Sequence, residues 1–369
     1  MNIKEKILAK SERLGRAVFH YVERKKQKDK RRVNIAKSVT LSSAQKRAID
    51  DFYKENLGKK VKYNWHKLYT AISGKFDYKY LPEYLYTADF TILSNNPRYY
   101  KALQDKSILP LIVKGSELNV RVPKILFSCS NKLILNENKE IITKDELLKK
   151  LINLDSFFIK PSIDSNSGKD CVLYKKEFGY REEDLKRIVD NYNGNFLVQE
   201  VVENQNDIKK LNPSSLNTFR VTTYLLDGLI YVAPLVLRIG RENKACDNAH
   251  AGGLFVAVSN DGEIISDGKT EFNENHEFHP DSKIKFKGYK INNVEKVIKA
   301  AKEVASLIPQ VGVIDWDFVL DENGNPTLIE GNMFNGSCWL VQMSHGKAIF
   351  EENTARVLQL IRKNTHLYE

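Results

Sequence analysis

No run of apolar residues in this sequence approaches the roughly 20 needed to cross a bilayer; stretches such as Leu109 to Val113 stop far short. No membrane-spanning helix is predicted. Cysteine is equally sparse: Cys129, Cys171, Cys246 and Cys338 stand apart, with no C-x-x-C pair and no His at metal-like spacing. That pattern excludes a disulfide framework and a zinc site. The amino terminus, Met1-Asn2-Ile3-Lys4-Glu5-Lys6, passes into mixed charge instead of the apolar stretch of an export signal, so a cytoplasmic protein is expected. No internal repeat appears, and no low-complexity tract beyond one basic run. What is there is a chain of 369 residues, 42% hydrophobic and 28% charged, enough for two or three packed subdomains.

The net charge of +11 is unevenly spread: residues 1–40 carry +9 and the remainder only +2. The basicity therefore belongs to an N-terminal segment and not to the body. Within it Ile3, Ile7, Leu14, Val18 and Tyr21 recur at helical spacing before the run Arg24-Lys25-Lys26-Gln27-Lys28-Asp29-Lys30-Arg31-Arg32. A basic amphipathic helix is predicted. Its stripe can pack on the body of the same protein or on an anionic membrane surface, which would make the protein peripheral on the inner face of the membrane. Nucleic acid is not an expected partner.

Residues 41–104 read as a helical, tyrosine-rich lobe punctuated by Ser73-Gly74, Leu81-Pro82 and Asn95-Asn96-Pro97. From Asp105 an α/β texture begins. Strands are predicted at residues 120–127, 157–160, 196–199, 219–224 and 230–237, and helices over 144–153 and 293–307. Residues 311–320 and 326–330 flank Asp321-Glu322-Asn323-Gly324-Asn325 and read as a hairpin.

That hairpin carries the most informative chemistry. Alternation puts Asp315, Asp317 and Val319 on one face of its first strand, and Leu328, Glu330 and Asn332 on one face of its second. Asp317, Glu330 and Asn332 then form a set of hard oxygen ligands suited to Mg²⁺, which takes its remaining oxygens from phosphates and water. A solvated hairpin with a polar outer face would look alike. Lys160, at a strand end before Ser162-Ile163-Asp164-Ser165-Asn166-Ser167-Gly168-Lys169, offers a fixed charge and accessible backbone N–H groups to phosphate. The loop is not a P-loop, because Ile163 and Asp170 stand where a glycine and a Ser or Thr are required. Phe196 to Val202 is an apolar strand ending in polar residues, able to hold a base or to be a plain edge. Arg220 and Arg238 lie on predicted strands, where an arginine needs a site or a partner carboxylate.

In this order and spacing the segments resemble the ATP-grasp superfamily, and most closely its sugar-transfer associated branch, over about Asp105 to Gly346. Leu216-Asn217-Thr218-Phe219-Arg220-Val221, Leu237-Arg238-Ile239-Gly240 with Asp247-Asn248 and Gly252-Gly253, and Trp316-Asp317 with Glu330-Gly331-Asn332 carry the resemblance. It implies an α/β (α+β) ATP-grasp fold, with two α+β subdomains, residues 105–200 and 201–369, clasping ATP behind a helical N-terminal region. It further implies Lys106 and Lys160 as nucleotide lysines, and Asn166, Ser167 and Gly168 in a loop over the phosphates. Glu200 and Val202 are implied at the adenine, Asp207 at the ribose, and Asp317, Glu330 and Asn332 at the metal. Two departures stand out: the loop is poor in glycine, and Asp315 occupies the position where the family's peptide ligases carry an arginine. Anion stabilisation then falls to Arg220 and Arg238.

The implied reaction is ATP-dependent: a carboxylate is activated as an acyl phosphate and attacked by an amine or a related, sugar-linked acceptor, with Asp247, Asn248, His250 and His345 as substrate-side candidates. A kinase stopping at a sugar or lipid-linked hydroxyl, and a non-catalytic scaffold of a polysaccharide assembly complex, are the rival readings.

Overall fold

The computed structural model describes residues 3–163, 170–242, 247–334 and 336–364. Eight helices come first: α1 (Ile3–Gln27), α2 (Lys30–Lys37), α3 (Ser43–Leu57), α4 (Asn64–Ser73), the single turn α5 (Glu83–Leu85), α6 (Thr91–Ser94), α7 (Pro97–Leu103) and α8 (Ile108–Gly115). A π-helical turn, Tyr86–Phe90, joins α5 to α6. No helix among the described residues is long and apolar enough to cross a membrane. The basic run does not continue one helix: Asp29 ends the first and caps the second by accepting the Arg31 N–H at 2.8 Å.

A six-stranded sheet follows, built from β1 (Ile125–Ser130), β2 (Leu133–Asn136), β3 (Ile141–Ile142), β4 (Ser156–Pro161), β5 (Val172–Lys175) and β6 (Phe196–Gln199) in the order β3-β2-β1-β6-β4-β5. Every pairing in it is antiparallel. Helices α9 (Lys144–Ile152) and α10 (Glu182–Asn191) bury Leu147, Leu148, Leu151, Leu185 and Val189 against Phe127, Phe157 and Val198. A reciprocal capping box between Thr143 and Glu146 starts α9, as its sequence requires.

The second sheet has eight strands: β7 (Thr218–Leu226), β8 (Leu229–Val232), β9 (Leu235–Ile239), β10 (Leu254–Val258), β11 (Gly268–Lys269), β12 (Asn275–His276), β13 (Val313–Leu320) and β14 (Pro326–Asn332). Its order is β12-β11-β10-β9-β7-β13-β14, with β8 beside β7. The strand predicted over residues 230–237 divides at Ala233-Pro234, because proline has no N–H for the ladder. Its halves pair successive stretches of one edge of β7.

This sheet has two unlike faces. On one, Phe219, Val221, Leu237, Val256, Ile314, Trp316 and Phe318 pack under α12 (Val294–Leu307). On the other, Tyr224, Leu226, Val236, Phe255 and Val313 share a core with α3, α4, α13 (Trp339–His345) and α14 (Thr354–Asn364). Alternation sends Thr218, Arg220, Thr222, Arg238, Asp315 and Asp317 to this second face. The charged residues therefore begin where the helical cover ends. The short helix α11 (Asn206–Leu211) leads into β7.

Candidate functional site

The site is built from register. Arg220 on β7 stands opposite Asp317 on β13, Thr222 opposite Asp315, and Thr218 opposite Arg238 on β9. Arg220 Nε donates to Asp317 Oδ1 at 2.8 Å, and Arg238 Nη2 lies 3.0 Å from Oδ2, so one carboxylate carries a guanidinium on each oxygen. Arg238 also donates from Nε to Thr218 Oγ1 at 2.9 Å, and Thr218 donates through its hydroxyl (2.5 Å) and its N–H (3.0 Å) to Asp247 Oδ2. A continuous chain runs Arg220, Asp317, Arg238, Thr218, Asp247. All but Arg220 are buried, and its side chain is only 13% exposed.

Asp317 and Glu330 face each other across the hairpin, and their carboxyls share a hydrogen bond. Burial drives Asp317 upward, but the charges of Arg220 and Arg238 outweigh it and hold the group below the usual carboxylate range. Glu330 moves the other way: burial and then the charge of Asp317 push it up, against the pull of Lys160 and Lys106. Two carboxyls thus oppose each other, one favoured as the anion and one disfavoured, an arrangement that a hard cation suits. Asn332 stands opposite Asp315 and donates its Nδ2 to that residue's carbonyl at 3.2 Å, leaving its side-chain oxygen as an acceptor. Among the described residues no group of three or more His, Cys, Asp or Glu can hold a metal. The donor set of two carboxylates and one carboxamide fits Mg²⁺ bound together with phosphates, and does not make an all-protein cage.

Alternation misleads at one point. Phe318 pairs with Leu328 and Asp317 with Glu330, so Ile329 is an extra residue, a β-bulge. Leu328 therefore does not share a face with Glu330 as the sequence predicts, and joins the apolar core beside Phe318.

The two lysines arrive from elsewhere. Lys160 is buried at the end of β4, and burial lowers it, with Glu330 opposing and Lys106 reinforcing the shift. The Lys106 N–H donates to the Ser162 carbonyl at 2.9 Å, which fastens the turn between α7 and α8 to the strand end. Arg121 ties the lobes together, donating to Glu200 Oε1 and Asp321 Oδ2, each at 2.9 Å. Glu200 also accepts the Lys124 N–H at 2.9 Å, and Val202 is half-buried in the segment after β6.

Other predicted residues are already engaged. Asp207 accepts the backbone and side-chain N–H groups of Asn292 at 2.9 and 3.0 Å, so its carboxylate fastens a loop. His345 is buried on α13, bonded through Nε2 to the Leu235 carbonyl at 2.7 Å, and burial drops it to about 4. It is a neutral imidazole of the interior. His250 is exposed and meets Glu271 at 2.7 Å, and the Asn248 side chain accepts the His250 N–H at 2.8 Å. Asn166, Ser167 and Gly168 lie outside the described residues. The Asp247–Gly253 loop is tight: a Cβ at Gly253 would stand 2.4 Å from the Asp247 carbonyl oxygen.

Sequence reasoning missed Thr218, Thr222 and Tyr86. Thr222 donates to Asp315 Oδ1 at 2.5 Å and Tyr86 donates to the same oxygen at 3.2 Å, while the Ser337 N–H reaches Oδ2 at 3.0 Å. Burial pushes Asp315 up against the charge of Arg220, 4.0 Å away. The polar residues at 218, 220 and 222, every second position of one strand, were the available signal for the threonines. Tyr86 had none.

A family model described as sugar-transfer associated ATP-grasp matches residues 85–357, starting inside the helical region and running past Gly346. Nothing among curated proteins matches. Similar solved structures include D-alanyl-alanine synthetase A from Vibrio cholerae O1 biovar eltor (15% identity, 74% of this chain and 68% of that one, TM-score 0.44). Two others are L-amino acid ligase from Bacillus licheniformis (13%, 72% and 48%, 0.41) and biotin carboxylase from Campylobacter jejuni (12%, 71% and 46%, 0.42). The chain thus spans about half the length of these last two.

Proposed function

Because the chain belongs to the sugar-transfer associated ATP-grasp family, we propose that it is a ligase that uses Mg-ATP to activate a carboxylate as an acyl phosphate and passes the acyl group to an amine or related nucleophile on a sugar or cell-surface polysaccharide precursor. ATP-grasp enzymes use ATP and typically Mg²⁺. The observation that carries the reading is the convergence of Asp317 and Glu330 with Arg220, Arg238 and Lys160 in one buried cluster.

Asp317, Glu330 and Asn332 are the residues that would hold the metal, whose charge, when bound, offsets that of the phosphates. Lys160 and Lys106 offer positive charge to phosphate oxygens. Lys160 does so from a buried position, where an ion pair is screened little. Arg220 and Arg238 are held in fixed orientation by Asp317 and Thr218, so they need no reorganisation to meet charge developing on a transferring group. Asp247 and Thr218 extend the same chain toward the Asn248–Gly253 loop, on the acceptor side. Residues 1–40, with their charge of +9, bring the enzyme to an anionic membrane surface, where a lipid-linked acceptor resides.

ATP cleavage should depend on an acidic co-substrate, and hydroxylamine in place of the amine should trap the activated carboxylate as a hydroxamate. Recovery of a stable phosphomonoester, with no hydroxamate and no new amide or ester, would replace ligase by kinase. Arg238→Ala should depress turnover by about 10²–10³ while changing ATP binding far less.

A further inference from the structure

Helix α1 is two-sided, and its sides are the reverse of what its apolar stripe suggests. Its inner side is Phe19, His20 and Glu23. Phe19 meets Phe334 edge-on with ring centroids 5.1 Å apart, two residues after Asn332. His20 Nε2 lies 3.1 Å from Asp89 Oδ1, and Glu23 is buried. The stripe read from the sequence lies opposite: Leu14 is 68% exposed, Val18 51% and Tyr21 66%, with Val22 beside them. At 100° per residue these four positions span roughly a quarter of the helix circumference, and Lys25 continues the same line. Arg24, Lys25, Lys26, Lys28, Lys30 and Arg31 are all exposed. The apolar face is thus left open while a quite different face fastens the helix to the enzyme.

We infer that the outer face of α1, Leu14, Val18, Tyr21 and Val22 with the basic residues that follow, is the surface that lies on an anionic bilayer, while its inner face is part of the enzyme. This rests on the membrane reading given above and adds which face is used. The occupant follows from chemistry. An apolar stripe that runs into a cluster of lysines and arginines suits acyl chains beneath anionic headgroups, whereas a second copy of the helix would bring like charges together. Because Phe334 packs on the side away from the bilayer, the loop following Asn332 is held about one helix diameter, roughly 10 Å, from the lipid surface. That spacing suits an acceptor that is itself anchored in the membrane.

The test is co-sedimentation of the full chain with vesicles of phosphatidylcholine mixed with phosphatidylglycerol, compared with phosphatidylcholine alone. Leu14→Gln, Val18→Gln and Tyr21→Gln combined leave the charge unchanged, so any loss reads the apolar face. The wild type should bind the mixed vesicles, bind less as salt rises, and lose about tenfold or more in affinity in the triple variant, with ATP binding intact. Equal binding by both proteins would overturn the assignment of the face while leaving the membrane reading in place. No binding by the wild type would sink both. A wild-type dimer that the triple variant dissociates, without vesicle binding by either, would assign the face to a second copy instead.

Discussion

The two sheets handle charge in opposite ways. The six-stranded sheet brings a single buried cation, Lys160, to the site, at the end of a strand and with no carboxylate opposite it. The eight-stranded sheet carries Arg220, Arg238, Asp315, Asp317 and Glu330 on four neighbouring strands, where Arg220 faces Asp317, Arg238 reaches the same carboxylate from the far side of β7, and Glu330 faces it with like charge. Strands lie about 4.8 Å apart, so a residue's cross-strand neighbour is a built-in partner. The two groups shift for different reasons: two guanidiniums hold Asp317 down against its burial, while burial lowers Lys160, with Glu330 its main opposing charge. Inside a sheet the charged form is favoured where a complement lies within reach, and burial works against it where none does.

The largest effect expected from this contrast is at Asp317. Asp317→Asn leaves two buried guanidiniums without their carboxylate, which should cost about 3–5 kcal/mol of stability besides activity. Glu330→Gln should also lose most turnover, yet melt no lower than the wild type without nucleotide, since it removes a repulsion. Thermal melts of the pair decide it, and equal destabilisation of both would erase the distinction between complemented and uncomplemented carboxylates.

A second test extends the rule to the helical region. Glu83 is buried with no cation bonded to it, accepting from Tyr69 at 3.2 Å and Cys338 Sγ at 3.1 Å, and facing Glu23, whose Oε2 has no hydrogen-bond partner. Burial and then Glu23 push it up to about 7. A raised acid stabilises the fold fully below its unfolded value, and that contribution is lost as pH rises through the folded one. Glu83→Gln should therefore gain stability relative to the wild type between about pH 5 and pH 8, by on the order of 3 kcal/mol at most. A difference that is flat with pH would show that Glu83 is ionised throughout.

The smallest effect is expected at Lys160. Lys160→Met, which keeps the stem and removes an uncomplemented charge, should raise stability by about 1 kcal/mol while weakening ATP binding by about tenfold. Calorimetry with and without nucleotide separates the two. A clear loss of stability would mean that Glu330 complements Lys160 as fully as the arginines complement Asp317.

The hairpin was legible because both its strands and its turn speak locally: Asp321 accepts the N–H groups of Asn323 and Asn325, and Gly324 adopts a φ of 72°. The helix over residues 294–307 was legible from its period for the same reason. The antiparallel order of the sheets was not, since it depends on pairings such as Arg220 with Asp317, separated by 97 positions. The outward turn of the α1 stripe was illegible too. Periodicity gives a helix its apolar face but does not say what that face meets. Asp207, implied at the ribose by the resemblance, and His345, a substrate-side candidate, also hold partners distant in sequence, Asn292 and the Leu235 carbonyl, which no local pattern announces.

The bulge at Ile329 also has a meaning in the arithmetic of insertions and deletions. Ile329 is the residue of β14 with no counterpart on β13, while Leu328 and Glu330 on either side of it keep theirs. Loss of its codon would turn an irregular ladder into a regular one, with Asp317 still facing Glu330 and Phe318 still facing Leu328. Loss of Leu328 would leave the same regular ladder with Ile329 in its place opposite Phe318, because three residues separate Pro326 from Glu330 where two separate Leu320 from Asp317. This strand therefore carries one residue more than its partner requires, and that surplus adjoins the glutamate that can least afford to move.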